Sequence, residues 1–329
     1  MAAQIDWGPA RLSATRDLAP DVRLFEIEPL AGFVPPTPGS HIRLMVEIGG
    51  RPDIRHYSVV GPCRDGRYRI AVKRLPDSRG GSAYMWSLPP GARLTVSPPA
   101  NHFALRYGRP DYLLLAGGIG ITPIYSMALA LAEAQARFRL LYTCRRADDL
   151  ALADDLGNRI GDRLRIVLDE RNERIDLAAE IAGLEPEGEL YVCGPMGLLE
   201  AAKAEWSTQG RRVDRLRFET FGNSGRFASE SFSVRLPHLG RTIEVPPNQT
   251  MLSALEAAGV DVISDCRRGE CGLCAVTVLE TTGVIDHRDV FFSETEHKAN
   301  DKLCTCVSRV VGGSVTIDTG DRQIRYPAG

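Results

Sequence analysis

Cys266-Arg267-Arg268-Gly269-Glu270-Cys271-Gly272-Leu273-Cys274 places three cysteines at C-x4-C-x2-C, and Cys304 and Cys306 follow further along. That is the ligand spacing of a plant-type 2Fe–2S cluster. A loop holding such a cluster must wrap it closely, with backbone N–H groups turned toward sulfur. Gly269 and Gly272 stand between the ligands, where a missing Cβ permits left-handed backbone. Arg267 and Arg268 bring positive charge to an anionic group. Zinc would favour two close pairs, and only C-x-C follows here. A disulfide framework is disfavoured by the length of the chain, its scattered remaining cysteines and the lack of a signal-peptide pattern, so the chain reads as cytoplasmic and reduced. Cys304 and Cys306 lie two apart and would face the same way in a strand, so alternation leaves the fourth ligand open between them. Cys63, Cys144 and Cys193 read as small buried hydrophobes.

Working outward, the loop belongs to a C-terminal segment. Strands are expected at Phe232–Leu236 and Thr242–Val245, a helix at Met251–Ala258 and a further strand at Ala275–Glu280. Two strands, a helix and a metal loop suit a β-grasp ferredoxin domain over 232–329. Residues 222–231, Gly-Asn-Ser-Gly-Arg-Phe-Ala-Ser-Glu-Ser, read as a linker.

Upstream, from 109 to 222, apolar runs alternate with helical patterns. Strands are expected at Tyr112–Ala116, Phe138–Thr143, Leu164–Leu168 and Leu190–Cys193. Helices are expected at Pro123–Ala136, Leu150–Ile160 and Met196–Gln209. This is the rhythm of a parallel α/β domain. Residues 1–108 hold short, partly alternating runs at Asp21–Glu28, His41–Val46, Arg55–Val60, Tyr68–Lys73 and Arg93–Ser97, which suggests a small antiparallel barrel. With 329 residues, the chain is long enough for two or three domains. A net charge of −2 argues against nucleic-acid binding. No apolar run approaches the ~20 residues of a membrane span. The six histidines show no H-x3-H pairing, and none is assigned to a metal.

Leu113-Leu114-Leu115-Ala116 runs into Gly117-Gly118-Ile119-Gly120-Ile121-Thr122-Pro123, a strand, a glycine turn and a helix start. Thr122 suits an N-cap and Pro123 the first helical position. Free N–H groups and the helix dipole there favour a pyrophosphate. Gly117, Gly118, Gly120 and Thr122 are the candidate contacts. A second turn, Cys193-Gly194-Pro195, ends another strand on the same sheet edge, where ligands of open α/β sheets sit. Together the two loops make a nicotinamide site. Arg145, with Arg146, follows a strand and suits a ribose or a 2′-phosphate, which leaves NADH and NADPH both open.

A nicotinamide delivers two electrons and the cluster accepts one, so a flavin is expected between them. Arg55-His56-Tyr57-Ser58 offers phosphate contact, ring contact and approach to the reactive nitrogen. Val72-Lys73 leads on to Arg79-Gly80-Gly81-Ser82, which suits a phosphate.

These motifs, in this order over essentially the whole chain, resemble the phthalate dioxygenase reductase-type (class IA) oxygenase reductases, of which vanillate O-demethylase reductases are examples. The resemblance rests on Arg55/Tyr57/Ser58, Gly80–Ser82, Gly117–Pro123, Cys193–Pro195 and the cysteine loop. It implies FMN, NADH and a 2Fe–2S cluster. It picks Cys306 as fourth ligand, because Cys306-Val307-Ser308-Arg309 matches the family's run. It also matches Phe218-Glu219-Thr220-Phe221, which adds Glu219 and Phe221 beside the flavin, with Ser58, Cys193 and Phe221 nearest the chemistry. A monomer passing electrons to a terminal Rieske oxygenase is the implied role. A cytochrome P450 or diiron acceptor, or a redox sensor without turnover, are the rivals. The docking face is expected around Arg267, Arg268 and Glu270.

Overall fold

The computed structural model describes residues 6–75, 80–221, 227 and 229–320. Two compact units divide the chain, one running to Glu219 and the other starting at Thr220.

The first unit opens with β1 (Gly8–Ala19), β2 (Val22–Pro29), β3 (His41–Ile48), β4 (Arg51–Ser58), β5 (Tyr68–Lys73), helix α1 (Gly81–Ser87) and β6 (Arg93–Val96). The strands form one antiparallel sheet in the order β4-β3-β6-β1-β2-β5. An antiparallel bridge between Val59 and Ile70 brings the end of β4 beside β5 and closes the barrel. Alternation places Ile42, Leu44 and Val46 of β3 inside with Leu12, Phe25, Ile27 and Ile70. Strand β1 has no counterpart among the expected strands. Its run Gly-Pro-Ala-Arg-Leu-Ser-Ala-Thr-Arg-Asp-Leu-Ala is poor in β-branched residues, and register shifts at Leu12/Ala14 and Asp17/Ala19 break its alternation.

The same unit continues with β7 (Tyr112–Gly117), α2 (Ile121–Glu133), β8 (Phe138–Cys144), α3 (Ala153–Ile160), β9 (Leu164–Leu168), α4 (Leu177–Ala182), β10 (Glu189–Cys193), α5 (Met196–Thr208) and β11 (Leu216–Glu219). The five strands are parallel, in the order β11-β10-β7-β8-β9. Every residue of β7 is buried, as expected for a central strand covered on both faces. Strand order reverses between β7 and β10, which opens a crevice at their carboxyl ends.

The second unit contains β12 (Phe232–Leu236), β13 (Arg241–Val245), α6 (Met251–Ala257), β14 (Ala275–Thr281), β15 (Val284–Asp286), α7 (Glu294–Ala299), β16 (Lys302–Cys304), β17 (Arg309–Val311) and β18 (Ser314–Asp318). Its main sheet runs β13-β12-β18-β14-β16, with β12 and β18 parallel. Thr250 caps α6, whose Met251, Leu252, Ala254 and Leu255 face the core. This is a β-grasp arrangement. The chain is thus an antiparallel flavin-type barrel, a parallel α/β domain and a C-terminal ferredoxin fold. The expected linker lies mostly outside the described residues, and the break between units falls at Glu219/Thr220. Among the described residues no helix is long and apolar enough to cross a membrane.

Candidate functional site

The crevice is built where the two glycine loops meet. Register pairs Ala116 with Cys193 and Cys193 with Glu219, so three neighbouring strands end side by side. A Cβ on Gly120 would lie 2.2 Å from the Cys193 carbonyl oxygen, and one on Gly117 would lie 2.6 Å from Pro195 Cδ. A Cβ on Gly194 would meet the Gly117 backbone at 3.0 Å. Gly117, Gly120, Gly194 and Pro195 are therefore in mutual backbone contact, which explains their residue types. Gly118 has φ +52, where a side chain is strained.

The expected cap is corrected. Helix α2 begins at Ile121, directly after a tight turn over Gly118–Gly120, so Thr122 lies inside the helix rather than at its cap. Gly120, already in helical conformation, is the observed cap, two residues before the expected one. The Thr122 hydroxyl donates instead to the Ile119 carbonyl at 3.0 Å. Pro123 still fits, because the first turn of a helix has no partner for its N–H.

Barrel residues reach this crevice. Ser58, last in β4, donates to Glu219 Oε2 at 3.4 Å, and Glu219 is 2% exposed. Tyr57 is half-buried beside it. Burial outweighs the nearby Arg55 guanidinium and pushes its phenol up. Arg55 pairs with Asp53 at 2.7 Å, and its side chain occupies the space that a Cβ on Gly81 would need. The structure so joins Arg55 to the Gly80-Gly81-Ser82 turn at the start of α1. Ser82 Oγ accepts from the Leu75 amide at 3.4 Å. His56 stacks on His41 at 5.2 Å. Val72 is a buried core residue whose carbonyl accepts from Trp86 Nε1, and Lys73 pairs with Asp21 at 3.1 Å. Arg79 lies outside the described residues. Arg145 is exposed just beyond β8, while Arg146 pairs with Asp149 at 2.8 Å. Cys193 is 1% exposed. Phe221 belongs to the second unit and is partly exposed.

In the second unit the cysteine loop has the geometry its glycines require. Gly269 has φ +76 and Gly272 φ +72. A Cβ on Gly272 would lie 2.2 Å from the Phe291 ring. The amides of Arg268 and Glu270 both donate to Cys266 Sγ at 3.4 Å. Thiols converge there. Cys306 hydrogen-bonds the sulfurs of both Cys266 and Cys274, whereas Cys304 reaches Cys274. Cys306 draws the Cys266 thiol down to about 4, and Cys304 and then Cys306 draw Cys274 down to about 3. A buried nest of sulfurs with amides aimed at it fits a cluster bound by thiolates.

Two expectations change here. Strand β16 stops at Cys304, and the Val307 and Ser308 amides close a turn on its carbonyl, so Cys306 is not in a strand with it. Arg268 is 6% exposed and pairs with Glu270 at 3.1 Å, and Arg267 is held by Glu256. The expected basic docking face is therefore largely spent inside the domain. Leu273 (52%) in the loop and Phe291 (48%), whose ring lies against Gly272, are exposed. The Val307-Ser308-Arg309 run is also structural. Ser308 donates to Asp289, and Arg309 donates to the carbonyls of Gln249, Glu230 and Pro246. Burial lowers the Arg309 guanidinium to about 10.

Comparison with known proteins agrees with this geometry. A 2Fe-2S iron-sulfur cluster binding domain matches residues 236–311, and an oxidoreductase NAD-binding domain matches 114–204. The solved structure of phthalate dioxygenase reductase superposes with a TM-score of 0.77 at 30% identity, covering 95% of this chain and 98% of that one. The chain belongs to the phthalate dioxygenase reductase-type family. Members of this family are NAD(P)H-dependent electron-transfer oxidoreductases carrying flavin and a 2Fe–2S cluster, and so is this chain. The heme-dependent oxidative N-demethylase beta subunit of Ectopseudomonas mendocina is 37% identical over 311 residues, covering 94% of this chain and 97% of its own length. The full-length CYP116B46 of Tepidiphilus thermophilus matches with a TM-score of 0.66 at 33% identity, covering 94% of this chain, which spans only 42% of that protein.

Proposed function

We propose that this reductase takes electrons from NADH and passes them through FMN and the cluster to a Rieske-type terminal oxygenase. The observation that carries it is the crevice, where Ser58 of the barrel reaches Glu219 beside the two interlocked glycine loops. Bound flavin and cluster supply the conversion from two-electron to one-electron transfer.

The chain's own residues position and tune. Gly117, Gly118 and Gly120 leave room for a pyrophosphate at the start of α2, with Cys193, Gly194 and Pro195 on the nicotinamide side. Ser58 and Tyr57 line the flavin ring, with Glu219 fixing the Ser58 hydroxyl. Arg55 and Gly80–Ser82 hold its phosphate. Cys266, Cys271, Cys274 and Cys306 hold the cluster, and the Arg268 and Glu270 amides stabilise its charge. Leu273 and Phe291 form the apolar centre of the docking face. Domain limits of 1–108, 109–222 and 232–329 fit this division of labour, as does a cytoplasmic monomer.

A haem-dependent oxygenase is the second reading of the partner. It is favoured by the names of the N-demethylase subunit and of the P450 that share this architecture. Steady-state turnover with ferricyanide, NADH against NADPH, tests the donor. Reconstitution with a Rieske oxygenase and with a haem oxygenase tests the acceptor. Faster ferricyanide reduction with NADPH would overturn the donor assignment, and coupling only to the haem protein would overturn the first acceptor.

A further inference from the structure

Outside the cysteine nest, the second unit gathers three potential ligands that the sequence keeps apart. His287, Asp289 and His297 each offer one ligand atom, a ring nitrogen or a carboxylate oxygen, and these lie within 4.8 Å of one another. We propose that these residues form a separate site for one divalent transition-metal ion of the zinc class.

The argument begins with the buried carboxylate. Asp289 is 1% exposed, and among the described residues no Lys or Arg pairs with it. The Phe292 amide at 3.0 Å and the Ser308 hydroxyl at 3.3 Å donate to it, and both are neutral, so a cation held beside this carboxylate would compensate its burial.

The His287 ring shows where that cation sits. His287 Nε2 lies 2.9 Å from Asn300 Oδ1, an atom that only accepts, so Nε2 carries the proton. In the neutral ring Nδ1 then holds a lone pair. That atom is buried, makes no hydrogen bond, and lies 3.8 Å from Asp289 Oδ1. A lone pair facing a carboxylate is repulsive, and a metal ion shared by both removes the repulsion.

The surroundings are those of a built site. Metal-bound imidazoles are oriented by a partner on the other ring nitrogen, which Asn300 provides. Asp289 is fixed by the Phe292 amide at 3.0 Å and the Ser308 hydroxyl at 3.3 Å. His297 Nε2 lies 3.1 Å from Asp289 Oδ2, and the two imidazoles stack at 4.4 Å. His297 sits in the last turn of α7 with its side chain 24% exposed, giving an entry path and an open fourth position. Two imidazoles and one carboxylate suit zinc better than calcium or magnesium. The Val290 amide donates to the Gly269 carbonyl at 2.9 Å, so the ion braces this segment against the cluster loop.

The test titrates the flavin- and cluster-loaded full chain with zinc chloride against a chromogenic chelator, with metal analysis after gel filtration. The wild-type chain is expected to retain one zinc beyond its iron, with cluster absorbance unchanged. His297→Gln should weaken binding about 100-fold, and Asn300→Ala about tenfold. If His297→Gln fails to keep its cluster, Asn300→Ala at the exposed end of α7 decides alone. Three outcomes would overturn the proposal: no zinc retained, zinc retained equally by the variants, or zinc taken up only as iron is lost. A protonated His287 in place of a metal would show as the first of these.

Discussion

Gly120 and Gly272 carry the sharpest consequences at the scale of single residues. Alanine at Gly120 would set its Cβ against the Cys193 carbonyl, backbone on backbone, and part the two loops. Gly120→Ala is expected to raise the KM for NADH by roughly tenfold or more, since small misplacements at a reacting site are costly. Iron content should not change; an unaltered KM would show that the loops do not hold the nicotinamide. Alanine at Gly272 meets both a left-handed φ, worth about 1–2 kcal/mol, and the Phe291 ring. Iron analysis of that variant should show the cluster largely lost. Cys306→Ser should also lose it and Cys304→Ser should keep it, because of these two Cys306 meets the sulfurs of both Cys266 and Cys274 whereas Cys304 meets that of Cys274. The cysteine spacing and its glycines were legible because each answers a local steric demand. Ser58 meeting Glu219 was legible only as two motifs, since nothing local links residues 161 positions apart. Neither was the burial of Arg268, whose partner Glu270 lies in the same loop that reads as exposed charge.

At the scale of elements, strong periodicity was read correctly and irregular pairing was not. Strands β7, β8 and β10 are dominated by apolar residues and were found, whereas β1 is polar and bulged and was not. The start of α2 shifted because a glycine turn winds straight into it. That helix also holds the first unit together. Ser126 Oγ accepts from the Gly61 amide at 2.9 Å and donates to the Val59 carbonyl at 2.8 Å. Ser126→Ala leaves both groups unpaired, at a cost of about 1–3 kcal/mol. The thermal midpoint of the first unit should fall by roughly 2–12 °C. An unchanged melt would mean that water replaces the hydroxyl.

At the scale of the whole molecule, what leaves the protein is set by the face around the cluster. Leu273 and Phe291 are its exposed apolar residues, while Arg267 and Arg268 are held by Glu256 and Glu270. Leu273→Asp should slow electron transfer to the oxygenase about tenfold or more, in line with loss of a central apolar contact. Ferricyanide reduction by NADH should be unaffected. Equal loss of both activities would place Leu273 in the internal path instead. The internal path is the central claim, and an anaerobic NADH titration of the purified chain, followed by visible absorbance, tests it most directly. Flavin and cluster bands should bleach together, complete at about one and a half equivalents of NADH for two flavin electrons and one cluster electron. Flavin bleaching with the cluster left oxidised, or no bleaching at all, would contradict the account.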